Sequence, residues 1–231
     1  LKIYSPAPST TRLNADPLKK LANLSPPPTA GLHRGRAASF FENYMLPSLT
    51  ACPVIGEIGM DSVWCDVPLD RQEEVFRAQL AIACQMKKPV ILHTKGEEDR
   101  IASILPEYPN TYLVHWYSCE EYLDQYLALG CYFSIGPDVL WNPPVRTLAA
   151  RVPQNRILIE TDGMGAVKWA YEAPEAPKNS QLADARENTK NVEDALTHTL
   201  LETAAIRQTE PGVLAKQIQK NLIWGFLSAS K

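Results

Sequence analysis

The 231-residue sequence is short of the features that classify a chain at a glance. Its five cysteines, Cys52, Cys65, Cys84, Cys119 and Cys131, are an odd number with no C-x-x-C pair. They suit packing roles in a reducing compartment better than a disulfide framework or a zinc–cysteine site. No apolar run approaches the roughly 20 residues of a membrane span, and the first residues lack the apolar core of a signal peptide. Positive charge is not in excess, with 23 Lys and Arg against 26 Asp and Glu. That argues against a broad nucleic-acid-binding surface and leaves room for a local basic patch. Repeats and low-complexity tracts are absent, and the lone Gly96 after His93-Thr94-Lys95 permits a tight turn but is no phosphate loop. The expectation is a soluble, cytoplasmic, monomeric chain with no membrane association.

What is present is enough apolar sequence for one substantial core, 45% hydrophobic against 21% charged, read as a single domain over 1–231. The organising stretch is Pro53-Val54-Ile55-Gly56-Glu57-Ile58-Gly59-Met60-Asp61, a short apolar strand broken by glycines around one carboxylate. A buried, unpaired Glu57 would be costly, so it needs a cation, a metal or a place at the strand's mouth. Three further apolar runs end in a possible metal ligand: Pro89 to His93, Thr111 to His115, and Ile157 through Glu160 and Thr161 to Asp162.

Leu1 to Tyr4 reads as a first strand that Ser5-Pro6-Ala7-Pro8-Ser9 cannot continue as a central one. Asp16 to Leu24 reads as a helix, Thr29 to His33 as a short strand leading into Arg34-Gly35-Arg36, and Ser39 to Leu49 as a loosely helical segment. After the organising strand, Asp70-Arg71-Gln72-Glu73 resembles a capping box with Asp70 in the cap position. It opens a helix over Arg71 to Lys87 with Val75, Phe76, Gln79, Leu80, Ala83 and Met86 facing the core. Strand Pro89 to His93, helix Glu97 to Leu105 and strand Tyr112 to His115 follow. Ser118 to Glu121 is a second capping box, opening a helix that stops at Gly130. Then come strand Cys131 to Ile135, a short helix over Val145 to Ala150, and strand Ile157 to Thr161. Gly163 to Asn179 reads as a long loop over the mouth, a lid, before helices over Thr189 to Arg207 and Gly212 to Leu222. Strict alternation from Pro53 to Asp162 implies parallel strands with outer helices, an α/β fold best matched by a compact, distorted TIM-type barrel. Glu57, His93, His115 and Asp162 then gather at the carboxyl ends of the strands.

Two imidazoles and two carboxylates are ligands that zinc, manganese or a similar divalent ion accepts, and a metal so held favours hydrolysis. Asp162 is the general base of choice, a carboxylate able to take the proton of an attacking water. A lone strand-end histidine is usually structural; the joint placement of His93 and His115 reverses that reading. His33 is assigned a structural or outer role, and His198 a surface or packing one. Asp61 and Glu160 should face away or sit in the next loop, and each is given a structural role. Arg34, Arg36, Lys95, Arg100 and Lys168 follow strand ends and could contact phosphate, although solvated charge is the usual fate of such residues. Trp116 and Tyr117 could stack on a base or sugar, or simply pack.

These residues carry a resemblance. Gly56 to Asp61, Pro89 to His93, Val114-His115-Trp116-Tyr117-Ser118, Tyr132 to Gly136 and Ile157 to Asp162 are similar, in order and spacing, to the motifs of the TatD-like metal-dependent hydrolases. Ala30-Gly31-Leu32-His33 resembles that family's G-[IL]-H-P motif with Arg34 in place of proline, and Asn221 to Phe226 its C-terminal N-x-x-x-x-F ending. The resemblance implies a distorted TIM barrel and a centre of one or two divalent ions, Zn, Mn or Mg. It also implies phosphoester hydrolysis, with members acting as deoxyribonucleases. It places Glu57 as a bridge between two metals, His93 and His115 on one of them, and Asp162 on the other and on the attacking water. Arg34, Lys95 and Trp116 are then expected to contact a DNA or nucleotide phosphoester.

One departure stands out: the family opens with a strand ending in D-x-H-x-H, and the nearest register here puts Ala7 and Ser9 where the histidines belong. Either a first strand lies upstream of Leu1, or one metal site has been lost. The alternative to a hydrolase is therefore a catalytically impaired TatD-like binding or scaffold protein. C–N bond hydrolysis is a third reading that strand-end ligands leave open.

Overall fold

The computed structural model describes residues 46–230. The expected strands at Leu1–Tyr4 and Thr29–His33, the helix over Asp16–Leu24, Arg34, Arg36, and most of the Ser39–Leu49 segment lie outside the described residues. The described residues up to Tyr112, with those from Leu227 onward, form one compact unit, and Leu113–Phe226 form a second.

In the first unit helix α1 (Leu46–Ala51) leads into strand β1 (Ile55–Gly59). Its terminal carbonyls are satisfied from a distance: Lys88 Nζ donates to the carbonyls of Leu49, of Thr50 at 2.7 Å and of Cys52 at 2.6 Å. β1 runs parallel to β2 (Val90–His93), with Ile55 opposite Val90, Ile58 opposite Leu92 and Gly59 opposite His93. The register shifts between Ile55 and Ile58, so the chain bulges around Gly56 and Glu57. Ile55, Ile58, Val90 and Leu92 are buried, while Glu57 is exposed. The register thus separates Glu57 from the core, and of the expected alternatives for this carboxylate an exposed place at the strand fits.

The connecting helix α2 (Leu69–Met86) starts differently from expectation. Its cap is Pro68, whose carbonyl accepts from Arg71 and Gln72 N–H, and Asp70 sits inside the first turn. The expected reciprocal partner, Glu73, instead accepts from Arg77 Nε and Arg100 at 2.6 Å each. Two guanidinium groups outcompete one backbone amide for that carboxylate. Arg100 is thereby committed to Glu73. Phe76, Ala78, Leu80, Ile82 and Ala83 form the buried face, so it is turned slightly from the expected one, with Val75, Gln79 and Met86 half-buried. Helix α3 (Glu98–Ile104) and a 3-10 turn (Leu105–Glu107) return the chain to β3 (Tyr112–Val114). Val90 N–H donates to the Thr111 carbonyl at 2.9 Å, which pairs β2 with the entry to β3.

In the second unit β3 runs parallel to β4 (Tyr132–Ile135) and β4 to β5 (Ile157–Ile159), with Leu113 opposite Tyr132 and Phe133 opposite Ile157. Strand order follows chain order, the pattern of successive βαβ units. Helix α4 (Leu123–Ala128) begins five residues beyond Ser118, the start of the expected capping box, and Glu120 within that box accepts from the Thr147 hydroxyl of helix α5 (Pro143–Arg151). The expected lid is not a loop. Gly163–Glu172 forms helix α6, its Val167, Ala170 and Tyr171 buried at helical spacing, and only the Pro-containing stretch after it is irregular. Ser180–Asn188 forms a further helix, α7, capped by Asn179 Oδ1, which accepts from Leu182 N–H. α8 (Val192–Ile206) and α9 (Pro211–Lys220) match the two expected closing helices. α9 passes into a π-turn, Asn221–Phe226. Buried Asn221 donates to the carbonyls of Gln154 and Ile157 at 2.9 and 2.8 Å, and Phe226 packs on Tyr132 with ring centroids 5.8 Å apart. The N-x-x-x-x-F ending is therefore a clamp on the starts of β4 and β5. Among the described residues no helix is long and apolar enough to cross a membrane.

Candidate active site

In the first unit the site is built at the ends of β1 and β2. Gly59 lies against His93: a Cβ at that position would stand 1.8 Å from the His93 carbonyl oxygen, so only glycine lets the two strand ends meet. Past the strands the pairing continues, with Met60 N–H donating to the His93 carbonyl at 3.2 Å. His93 Nδ1 then lies 3.8 Å from Glu57 Oε2, and His93 Nε2 lies 2.8 Å from Asp61 Oδ2. The ring is held between two carboxylates. Asp61 is itself fixed: its Oδ1 accepts from Val63 and Trp64 N–H at 2.7 Å each, while Gln72 bonds its backbone on both sides. Burial pushes the Asp61 carboxyl up. The Trp64 N–H, the His93 ring and the Val63 N–H outweigh that and hold it below the usual carboxylate range.

The second unit repeats the device. His115, directly after β3, places Nδ1 2.5 Å from Glu160 Oε2, and Glu160 Oε1 accepts from Trp116 N–H at 2.8 Å and from the Ser134 hydroxyl. With Nδ1–H turned to Glu160, the acceptor nitrogen of the ring is Nε2. An imidazole nitrogen of His115 and a carboxylate oxygen of Asp162 lie within 4.8 Å of each other. Asp162 is exposed and stands at the head of α6 in a left-handed conformation, φ 51°.

Each histidine thus has one carboxylate that orients it and another beside it. Two ligands on one ion, at about 2.0–2.2 Å each, sit roughly 3–4 Å apart, so these spacings suit a divalent ion after small side-chain movements. Asp61 and Glu160 are the residues that sequence reasoning misplaced: both contact a histidine rather than facing away. A signal for them existed, because a metal-binding imidazole almost always gives its second nitrogen to a carboxylate or carbonyl. Two candidate histidines therefore called for two more partners at the strand ends.

The remaining expected residues divide. Lys95 follows β2 with its Nζ 5.2 Å from the centroid of the Trp64 ring. Trp116 is half-buried: its indole N–H donates to buried Asp138 at 2.7 Å, and its ring lies so close over Gly136 that a Cβ there would be 2.3 Å away. Tyr117 is buried among Tyr126 and Phe133, a packing role. Lys168 is exposed on α6.

Parallel strands alternating with helices, with imidazole and carboxylate groups at the strands' carboxyl ends, are the arrangement of a TIM-barrel-type enzyme. The family model described as TatD related DNase matches residues 13–226, and the chain belongs to that family. It is 30% identical over 202 residues to the "3'-5' ssDNA/RNA exonuclease TatD" of Rahnella sp. (strain Y9602), covering 81% of this chain and 72% of the relative. It is 31% identical over 114 residues to the "Uncharacterized metal-dependent hydrolase YabD" of Bacillus subtilis (strain 168), where it spans 45% of the relative and 47% of this chain is matched. Among solved structures, the TatD homolog YJJV from Escherichia coli K12 aligns with a TM-score of 0.63 at 21% identity, over 80% of this chain and 68% of that one. A TatD family hydrolase from Entamoeba histolytica aligns with the same TM-score at 14% identity, over 90% and 71%. These two structures bear on the fold alone.

Proposed function

We propose that the protein is a divalent-metal-dependent phosphodiesterase acting on single-stranded nucleic acid, with Glu57, His93, His115 and Asp162 holding one or two ions of Zn, Mn or Mg. The observation that carries this reading is the doubled arrangement at the strand ends, His93 with Glu57 and Asp61, His115 with Asp162 and Glu160. The substrate follows from the relatives, several of which are named as 3'-5' ssDNA/RNA exonucleases. A bound divalent ion supplies Lewis-acid charge for the phosphoryl oxygens and lowers the cost of making a nucleophile from water.

The chain's own groups do the rest. Asp162 accepts a proton from the water as its oxygen attacks phosphorus and the ester P–O bond breaks, the leaving oxygen taking up a proton from solvent. Asp61 and Glu160 keep each imidazole in one orientation and one tautomer, so the donor nitrogens need no reorganisation when the charge develops. Lys95, and Arg34 from the segment before residue 46, are assigned to the substrate phosphates.

The test is hydrolysis of a single-stranded DNA oligonucleotide and of a small chromogenic phosphodiester with added Mn, Mg or Zn. Cleavage should be lost with chelator and fall sharply in His93→Ala. A rate that neither treatment changes overturns the proposal. Elemental analysis of the purified protein reports the metal count directly.

A further inference from the structure

Trp64 is a large side chain beside the candidate site that neither the core nor the mechanism explains. It is 65% exposed, in a loop whose Val63 and Val67 are also exposed. Exposed tryptophan is costly in apolar surface left in water, and a loop carrying one is ordinarily expected to move. This one is anchored. The Trp64 and Val63 amides both donate to the same Asp61 oxygen, and Gln72 Nε2 bonds the carbonyls of Asp61 and Val67 at 2.9 and 2.7 Å, gripping the loop near both ends. The anchor is the residue that also orients His93, and the Trp64 ring lies 6.4 Å from the His93 ring, tilted by 49°. The Lys95 ammonium stands 5.2 Å from the indole centroid. A fixed, solvent-facing aromatic plane with a cation against it, one side chain away from a strand-end imidazole, is what a nucleotide needs: a face for the base and a charge for its phosphate.

We infer that Trp64 is the platform on which a substrate base stacks beside the reacting phosphodiester, with Lys95 pairing the adjoining phosphate. This rests on the reading of the protein as a single-strand nuclease. It also moves the stacking role away from Trp116, whose ring is pressed onto Gly136 and whose N–H is taken by Asp138. Stacking on an indole face is blind to base identity, so the platform confers preference for unpaired strands over duplex rather than for a sequence.

The experiment is a two-by-two comparison of affinity in chelator, where nothing is cleaved. Fluorescence anisotropy measures Kd for a short single-stranded oligonucleotide and for the same oligonucleotide with abasic sugars, on the parent protein, Trp64→Ala and Trp64→Phe. The parent should bind the intact oligonucleotide about 5- to 150-fold more tightly than Trp64→Ala does. Trp64→Phe should restore most of that factor. The abasic strand should bind parent and Trp64→Ala nearly equally, a non-additivity that a merely structural role for Trp64 would not produce. With metal restored, Trp64→Ala should raise KM on the oligonucleotide far more than it lowers kcat. Parent cleavage with equal Kd for parent and Trp64→Ala would overturn the platform and leave the nuclease reading standing. A parent that neither binds nor cleaves single strands would overturn both.

Discussion

Replacing Glu160 by glutamine tests whether the carboxylate–imidazole pairs are functional. Glu160 receives three donors: His115 Nδ1 at 2.5 Å, Trp116 N–H at 2.8 Å and the Ser134 hydroxyl. Its side chain is 18% exposed, so solvent screens these bonds little. Glutamine keeps the shape and one acceptor oxygen, which can still serve Trp116 and Ser134, but turns an NH2 toward His115 Nδ1–H. Two donors then face each other, and the ring relieves the clash by moving its proton to Nε2, the nitrogen assigned to the metal. Losing one charged hydrogen bond costs about 1.5–3 kcal/mol. In a chain of this length each kcal/mol lowers Tm by about 2–4 °C, so calorimetry should show a drop of roughly 3–12 °C. Metal affinity should weaken by about 10- to 100-fold, as measured by titration calorimetry with Zn or Mn. Activity on single-stranded DNA should fall at limiting metal and recover in excess. Metal affinity within twofold of the parent, with activity unchanged at limiting metal, would refute the assignment of Glu160 as the orienting partner of His115.

Further outcomes follow from the same geometry. Gly59→Ala puts a Cβ 1.8 Å from the His93 carbonyl oxygen and forces β1 from β2, so urea unfolding should show a loss of about 2–4 kcal/mol; a loss under 0.5 kcal/mol would contradict the close approach. Burial pushes the Cys131 thiol up to about 12, so a thiol reagent at pH 8 should label exposed Cys52 and Cys65 quickly and Cys131 only on unfolding, as mass spectrometry of the labelled protein can show. The Arg77 bond to Glu73, opposed by burial and reinforced by Arg100, lowers the Glu73 carboxyl below its ordinary 4.5. A lowered folded value means that stability is present above about pH 4.5 and lost as pH falls through the lower one. Glu73→Gln should therefore be less stable than the parent at pH 7, with the gap closing in acid; a gap that widened in acid would reverse the sign.

Much of the fold was legible because strand and helix alternate with different periods: Val90-Ile91-Leu92 and Ile157-Leu158-Ile159 are apolar runs too short for helices, and each falls in a parallel strand. The helix starts were less legible. Asp70 and Ser118 look like caps, but capping depends on which donors reach the carboxylate three residues on. Arg77 and Arg100 reach Glu73 from a later turn and a different helix. Helix α6 was hidden by glycines at Gly163 and Gly165, which local propensity counts against a helix, whereas burial of Val167, Ala170 and Tyr171 decides for one. Around the candidate site, the placement of Glu57, His93, His115 and Asp162 at or just after strand ends could be read from the sequence. For Asp61 and Glu160 the sequence offered only the general need of each imidazole for a carboxylate partner; which neighbouring carboxylate turns toward the ring is settled by the bulge in β1 and by the turn after β3.

Those turns explain how strand ends become a site at all. A parallel strand buries its side chains on both faces, so a polar group can reach solvent only where the backbone leaves the sheet abruptly. The chain does this by stepping into left-handed conformations immediately after the strands: Trp116 at φ 39° follows His115, and Asp162 at φ 51° comes three residues past Ile159. Neither is glycine, and such a conformation costs about 1–2 kcal/mol for an L-residue, less for aspartate. At Trp116 the cost is offset by its backbone N–H on Glu160 and its indole on Asp138, so the bond that orients His115 also holds the turn that presents it. Asp61 works in the same way, accepting from the loop amides while it grips His93. Each orienting carboxylate is thus shared between a histidine and the backbone that carries the next loop. Imidazole geometry and loop geometry are fixed by the same charge, and neither can relax without disturbing the other.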